Sequence, residues 1–318
     1  MKKRIQTFLM KYSSSGKGSL YALILMVVFL IATTPSFVSM NNFLNIIDQI
    51  TINGIMAIGV TLVIITGGID LSVGSVLAFS MMTFGVLTKD ASLPYVLSIT
   101  IGILAGTACG LVNGLLVTKA KIPPFIATLS MLSIARGLAN IVSGNTQRYD
   151  FAFWFSDLSG KRYFNLFSIT TTLLLVLTIL FALYMKYREG GKRIYAIGFN
   201  PEVARLAGVK VERVTTMVYV ISGTLAGLAG IVLNSQLSSS QPYAAVGYEL
   251  NVIAAVVIGG ASLSGGIGTI GGTFIGALII GVLRNGLNLN GVNVFMQQVL
   301  IGVVIAITVG IDMLRSRK

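Results

Sequence analysis

Long apolar runs dominate the chain, separated by short polar or glycine-rich stretches. Ten runs read as membrane segments: about 20–38, 51–66, 71–88, 93–117, 123–143, 165–185, 214–234, 249–262, 267–287 and 294–312. A membrane helix needs about 20 mostly apolar residues. In lipid only helices and closed barrels satisfy the backbone, and continuous runs of this kind argue for helices. The pattern therefore predicts an all-α polytopic membrane protein with about ten transmembrane helices.

Two places interrupt the pattern in the same way. Residues 67–75 read GGIDLSVGS and residues 259–267 read GGASLSGGI. Gly67, Gly68, Leu71, Ser72 and Gly74 recur as Gly259, Gly260, Leu263, Ser264 and Gly266. Each stretch follows an apolar segment and opens another, which predicts an internal repeat of two helix breaks. Glycine-interrupted segments at corresponding positions of two halves point to broken helices around a transport path. The backbone groups freed by a break must face protein or a wet cavity. Asp70 and Ser72 are expected to cap the helix that starts near residue 71, with Ser262 and Ser264 doing the same in the second copy. Asp70 lies inside an apolar stretch, so it is also a candidate for the path itself. Both readings stay open on the sequence. Asn53 is a further polar candidate, as a path group or as a bond between helices.

The stretch GGIGTIGGT at 265–273 spells G-x-G-x-x-G through Gly266, Gly268 and Gly271. That fingerprint requires a strand before it and a turn into a helix. Here an apolar membrane segment stands on either side, and Gly272 occupies the place of a P-loop lysine. Gly268, Gly272 and Gly276 instead recur every four residues, as do Gly102, Gly106, Gly110 and Gly114, and Gly223 with Gly227. This spacing puts glycines on one helix face, where another helix can pack closely. Cys109, beside one such stripe, reads as a small buried residue.

Composition sharpens the membrane reading. The chain has 318 residues, 54% hydrophobic and 10% charged, with a mean hydropathy of +0.87. Soluble domains carry roughly 25% charged residues. There is no histidine and one cysteine, which excludes disulfide frameworks, thiolate or imidazole metal sites and histidine-based catalytic triads. The sequence predicts no catalytic site, no metal and no cofactor held by this chain. The formal net charge of +13 reads as basic cytoplasmic loops rather than nucleic-acid binding. With ten crossings, the inside segments hold 17 of the 23 lysines and arginines and the outside segments four. Both termini are then expected in the cytoplasm. The basic N-terminal stretch carries no A-x-A-like cleavage site after its apolar run, so that run reads as an uncleaved first helix. The expected organisation is a cytoplasmic segment 1–19, one transmembrane domain 20–312 and a tail 313–318. Loop 144–164, with Phe151-Ala-Phe-Trp-Phe155, should be external and interfacial.

Residues 186–213 form the large cytoplasmic loop. Asn200 is a good N-cap, Pro201 suits the first helical position and Glu202 the positive helix end. Gly208 is a good stop. A short helix of about 201–207 is expected, either lying along the membrane or docking a cytosolic partner.

Three stretches carry a family resemblance: GGIDLSVGS, IYAIGFNPEVARLAGVKVERV and YELNVIAAVVIGGASLSGG. The chain from about residue 40 to its C-terminus resembles permease subunits of bacterial ABC sugar importers, in the ribose, xylose and autoinducer-2 branch. SSSQPYAAVGYEL and LRNGLNLNGV resemble the ribose members in particular. The resemblance implies a multi-pass protein of the bacterial cytoplasmic membrane that imports a monosaccharide and is not an enzyme. It implies a second permease subunit, a cytosolic ATPase that uses the ATP, and an extracytoplasmic sugar-binding protein. Asn200, Pro201, Glu202, Arg205 and Gly208 then match a coupling helix that docks on the ATPase. An ion-coupled secondary transporter is the alternative, with Asp70 as its ion site.

Overall fold

The computed structural model describes residues 17–316. Among them are thirteen α-helices: α1 Lys17–Thr33, α2 Met40–Ile65, α3 Val73–Lys89, α4 Tyr95–Thr118, α5 Pro124–Ser143, α6 Phe153–Gly160, α7 Ile169–Tyr187, α8 Glu189–Phe199, α9 Pro201–Leu206, α10 Val211–Leu237, α11 Tyr248–Ile258, α12 Ile270–Leu289 and α13 Val294–Ser316. A two-residue antiparallel hairpin, β1 Arg162–Tyr163 with β2 Phe167–Ser168, precedes α7. Six helices, α2, α4, α5, α7, α10 and α12, are each long and apolar enough to cross a membrane. The other four predicted segments also hold apolar helices: α1, α3 and α11, of 17, 17 and 11 residues, and α13. The all-α polytopic class holds. The N-terminal part of the expected cytoplasmic placement, residues 1–16, lies outside the described residues, as do 317 and 318. α13 continues to Ser316, so the expected tail from 313 is mostly helix.

The largest difference in boundaries concerns α2, which begins eleven residues before the predicted segment. Its first turns carry Asn42, Asn45 and Asp48, and these polar residues suggest a loop. Each is bonded across the fold. Asn42 and Asn285 of α12 exchange amide hydrogen bonds of 3.0 and 2.8 Å. Arg162 of the hairpin donates to Asp48 at 2.7 Å and to Asn45 at 2.6 Å. Ser39 caps the helix by accepting from the Asn42 N–H at 3.1 Å.

The core centres on α2 and α10. Ile55, Met56, Leu62, Ile64 and Ile65 of α2 pack with Tyr219 and Ala226 of α10 and Leu77 and Met81 of α3. α4 meets α10 backbone to backbone along the predicted glycine stripe. A β-carbon on Gly106 would stand 2.6 Å from the Gly223 carbonyl oxygen and 2.8 Å from the Gly227 Cα. Gly272 and Gly276 of α12 serve α11 in the same way, facing Gly259 and the Ala255 carbonyl. GGIGTIGGT thus holds a loop followed by a packing stripe.

The bundle has a basic end. Lys121 and Arg205 both reach Glu212 there, at 3.8 and 2.8 Å, and α8 and α9 lie at that end. At the opposite end Arg148 pairs with Asp90 at 2.7 Å, and Lys89 donates to the Asp150 carbonyl at 2.6 Å. α6 stands there, with Phe155 fully buried against Phe84 and Tyr95.

Candidate functional site

The two glycine breaks meet at the basic end. α2 stops at Ile65, and Gly67 turns the chain with a positive φ of 81°. The second break brings Gly265 against it. A β-carbon on Gly265 would stand 3.1 Å from the Gly67 nitrogen and 2.9 Å from the Gly198 carbonyl oxygen. The Gly266 N–H donates to the Ile65 carbonyl at 2.8 Å. Gly198, at the end of α8, presses directly on that same carbonyl. Tyr195, one turn earlier, donates its hydroxyl to the Gly268 carbonyl at 2.7 Å. α8 therefore touches both breaks, and its next residue, Asn200, caps α9.

The two breaks are not copies in backbone. Gly67 is left-handed while its counterpart Gly259 has φ −66°, and Gly260 takes the left-handed role. Gly74 is inside α3, but its counterpart Gly266 is in a loop. The second break is longer, and Thr269 caps α12 by accepting from the Gly272 N–H at 3.0 Å. This corrects the expectation that Ser262 and Ser264 cap it. They sit in a tight turn instead, in which the Gly265 N–H donates to the Ser262 carbonyl at 3.0 Å and Ser262 Oγ accepts from the Ser264 N–H at 3.3 Å.

Asp70 is 1% exposed and ties three elements together. Its Oδ1 accepts from the Ser72 N–H at 3.0 Å and the Ser72 hydroxyl at 2.7 Å. Its Oδ2 accepts from the Ser222 hydroxyl of α10 at 2.8 Å. Asn113 of α4 donates to Ser72 Oγ at 2.9 Å. Thr128 of α5 holds the Ile69 carbonyl at 3.0 Å. Ser72, the residue before α3, makes no side-chain cap of its own; the carboxylate of Asp70 takes that part. Asn53 stands well up α2 with its Oδ1 buried and unpartnered. A β-carbon on Gly68 would stand 2.5 Å from the buried Tyr219 hydroxyl.

A third interruption lies at 238–247, where the apolar runs 214–234 and 249–262 leave a gap, and its course into the bundle is what the sequence does not show. α10 ends at Leu237, and Ser240 forms an antiparallel bridge with Arg148 at the end opposite the basic one. The chain then runs inward to α5, where Arg136 Nη1 donates to the Pro242 carbonyl at 2.6 Å and the Ala244 carbonyl at 2.9 Å. Only at Tyr248 does α11 begin, and its 11 residues span about 16 Å. The start of α11 meets the start of α3. A β-carbon on Gly74 would stand 2.6 Å from both the Ala245 carbonyl oxygen and Glu249 Oε2. Two helix N-termini, with their positive dipole ends, thus converge inside the bundle. Glu249 lies in the first turn of one of them. Arg136 and Glu249 are half-buried, and Tyr243 between them in sequence is exposed. The signal for this break was Ser238-Ser-Ser-Gln-Pro242, a polar run ending in proline between two apolar segments.

At the basic end Asn200 Oδ1 accepts from the Glu202 and Val203 N–H groups at 2.9 and 3.0 Å. Arg205 clasps Glu202 and Glu212, each at 2.8 Å. Gly208, with φ 83°, turns the chain toward α10. Phe199, Val203 and Leu206 are 88, 58 and 89% exposed. A capped helix thus presents an apolar face at the basic end. Among the described residues no cluster of acids and cysteine could hold a metal ion.

Known proteins match this chain over most of its length. It is 44% identical over 306 residues to the ribose import permease protein of Bacillus subtilis (strain 168), covering 94% of this chain and 93% of that one. It is 40% identical over 304 residues to the ribose import permease protein of Escherichia coli (strain K12), covering 92% of each. It is 35% identical over 286 residues to the L-arabinose ABC transporter permease protein of Azospirillum brasilense, covering 90% and 84%. No solved structure matches. The family model for the branched-chain amino acid transport system / permease component matches residues 42–309. The chain belongs to that family of membrane permeases.

Proposed function

We propose that this chain is the membrane permease of an ATP-driven importer for a monosaccharide, with ribose the first candidate. Similarity to sugar permeases over nine-tenths of the chain supports the substrate class. The geometry that carries the transport reading is the meeting of the α3 and α11 N-termini beside Arg136 and Glu249. Half-buried charges at membrane depth are too costly to face lipid, so they face a wet path or a partner subunit. Such a path suits a neutral, polyhydroxylated solute. Tyr243, Glu249 and Arg136 offer it an aromatic face, an acceptor and a donor. In this reading the path runs along a face completed by a second permease subunit, homologous or identical. Asp70, Ser72, Gly67 and Gly68 build its floor rather than contact the sugar, and Gly259, Gly260, Ser262 and Ser264 close the second break. Asn53 remains a candidate polar group higher up α2.

At the cytoplasmic end, α9 is the docking helix for a separate ATPase that binds and hydrolyses the ATP. Motion of α9 passes through α8 to Gly198 and Tyr195, and from there to both breaks at once. An external binding protein delivers the sugar. The test is uptake of radiolabelled ribose into vesicles that contain the permease and its ATPase, with the binding protein outside. Uptake that requires internal ATP supports the reading. Uptake driven by an ion gradient alone would replace it with a secondary transporter. Asp70 argues against that alternative, because its carboxylate is buried and already accepts three hydrogen bonds from protein groups.

A further inference from the structure

α4 and α10 touch through glycines, so their bulky residues stand away from the contact on either side. Between these walls runs a groove of about 1050 Å³. Leu104 and Leu111 form one wall and Met217 the other, and the three are 57, 43 and 54% exposed. Thr107 and Thr224 close the seam behind with a 2.9 Å hydrogen bond. The groove is apolar for most of its length and charged at one end only, where Lys119, Lys210 and Arg213 reach its rim. The one acid there, Glu212, is already held by Arg205 at 2.8 Å and Lys121 at 3.8 Å. Among the described residues no carboxylate pairs with Lys119, Lys210 or Arg213. From Leu104 to Lys119 the helix rises about 22 Å, more than one leaflet of a roughly 30 Å hydrocarbon core.

We infer that this groove binds an anionic phospholipid, its phosphate on Lys119, Lys210 and Arg213 and one acyl chain along Leu104, Leu111 and Met217. Charge complementarity and depth together favour this occupant. A basic rim at the membrane surface selects a negative headgroup, and the apolar walls below it match a chain and not a solvated peptide. The headgroup would also rest on residues 208–210, the linker from α9. Lipid composition would then bias how α9 sits, independently of which solute the permease carries.

The native Trp154 lies at the opposite end of the bundle, so a tryptophan placed in the groove reports on it alone. The full chain carrying Trp154→Phe and Leu111→Trp is placed in phosphatidylcholine nanodiscs with about 10 mol % of lipid brominated on its acyl chains. Brominated phosphatidylglycerol is expected to quench about threefold more than brominated phosphatidylcholine at the same fraction. The triple change Lys119→Gln, Lys210→Gln and Arg213→Gln should abolish the difference. Equal quenching by the two lipids in the parent would overturn the proposal. Should the tryptophan variant fold poorly, native mass spectrometry of the unmodified chain counts retained phosphatidylglycerol against phosphatidylcholine, and equal retention overturns it too. A Leu104→Cys chain that crosslinks to a second copy in membranes would assign the groove to a protein contact instead.

Discussion

The Tyr195 hydroxyl and the Gly268 carbonyl lie 2.7 Å apart, in a bond that joins α8 to the second glycine break. Tyr195→Phe removes that bond and nothing else. A net loss of about 1 kcal/mol is expected, too little to unfold the chain. If α8 relays motion, sugar transported per ATP should fall severalfold while the protein still binds its ATPase. Unchanged stoichiometry in reconstituted vesicles would mean that the bond is only structural. Gly198→Ala should be far worse, because its methyl group would collide with the Ile65 carbonyl. Overpacking of this kind costs about 1–3 kcal/mol, and here it also forces the two breaks apart.

Asp70 is expected to matter for stability first. Asp70→Asn puts an amide where Ser72 and Ser222 both donate, and leaves at least one buried donor unsatisfied, costing about 1–3 kcal/mol. Thermal melting in detergent measures this. A double-mutant cycle with Ser222→Ala should show coupling, since the two side chains share a 2.8 Å bond. Additive effects would deny the staple.

Arg136 and Glu249 should separate transport from folding. Arg136→Lys keeps a charge but supplies one point donor for the two carbonyls now held at 2.6 and 2.9 Å. Both Arg136→Lys and Glu249→Gln are expected to lower uptake at least tenfold with α9 docking intact, read as ATPase co-purification. Full uptake by both variants would remove this pair from the path.

The apolar face of α9 gives a complementary result. Leu206→Glu, at a residue 89% exposed, should leave the melting temperature unchanged and abolish ATPase co-purification. Retained co-purification would free α9 from that role.

The clasp between Asp90 and Arg148 carries a pH signature. The guanidinium hydrogen bonds hold the Asp90 carboxyl below its ordinary 3.8. A lowered folded pKa gives a contribution that is complete above the ordinary value and lost as pH falls through the lowered one. The 144–164 loop should therefore resist pepsin equally at pH 5 and about pH 4, and become susceptible only below that. Asp90→Asn should expose it at pH 5 as well. The effect is expected to be small, because the pair is open to solvent.

What the sequence made legible followed from solvent. Apolar runs cannot be hidden in a membrane protein, so all ten helical segments stood out. The glycine stripes did as well, since a four-residue period on one helix face has few other uses. Asn200, Pro201 and Gly208 announced α9 through local capping chemistry alone. Apart from the cap of α12, which falls on Thr269 instead of Ser262 or Ser264, the failures came from partners distant in sequence. Asn42 and Asp48 look like loop residues until Asn285 and Arg162 are placed beside them. Ser222, Asn113 and Tyr195 had no local mark of importance. The gap at 235–248 was plain from the apolar runs, but its inward course depends on Arg136, about a hundred residues away, which holds the Pro242 and Ala244 carbonyls. The geometry pairs the start of α3 with the start of α11, through Gly74 and Glu249.

The brevity of α11 has a consequence for gating. Eleven residues give it about 16 Å, roughly half of the 30 Å hydrocarbon barrier. Beyond it, the chain at 238–247 already carries hydrogen-bonding groups for a passing solute. A sugar on this route would shed its water over only the thickness of one leaflet. On such a route a small tilt at one end of so short a helix would be enough to open or close the way.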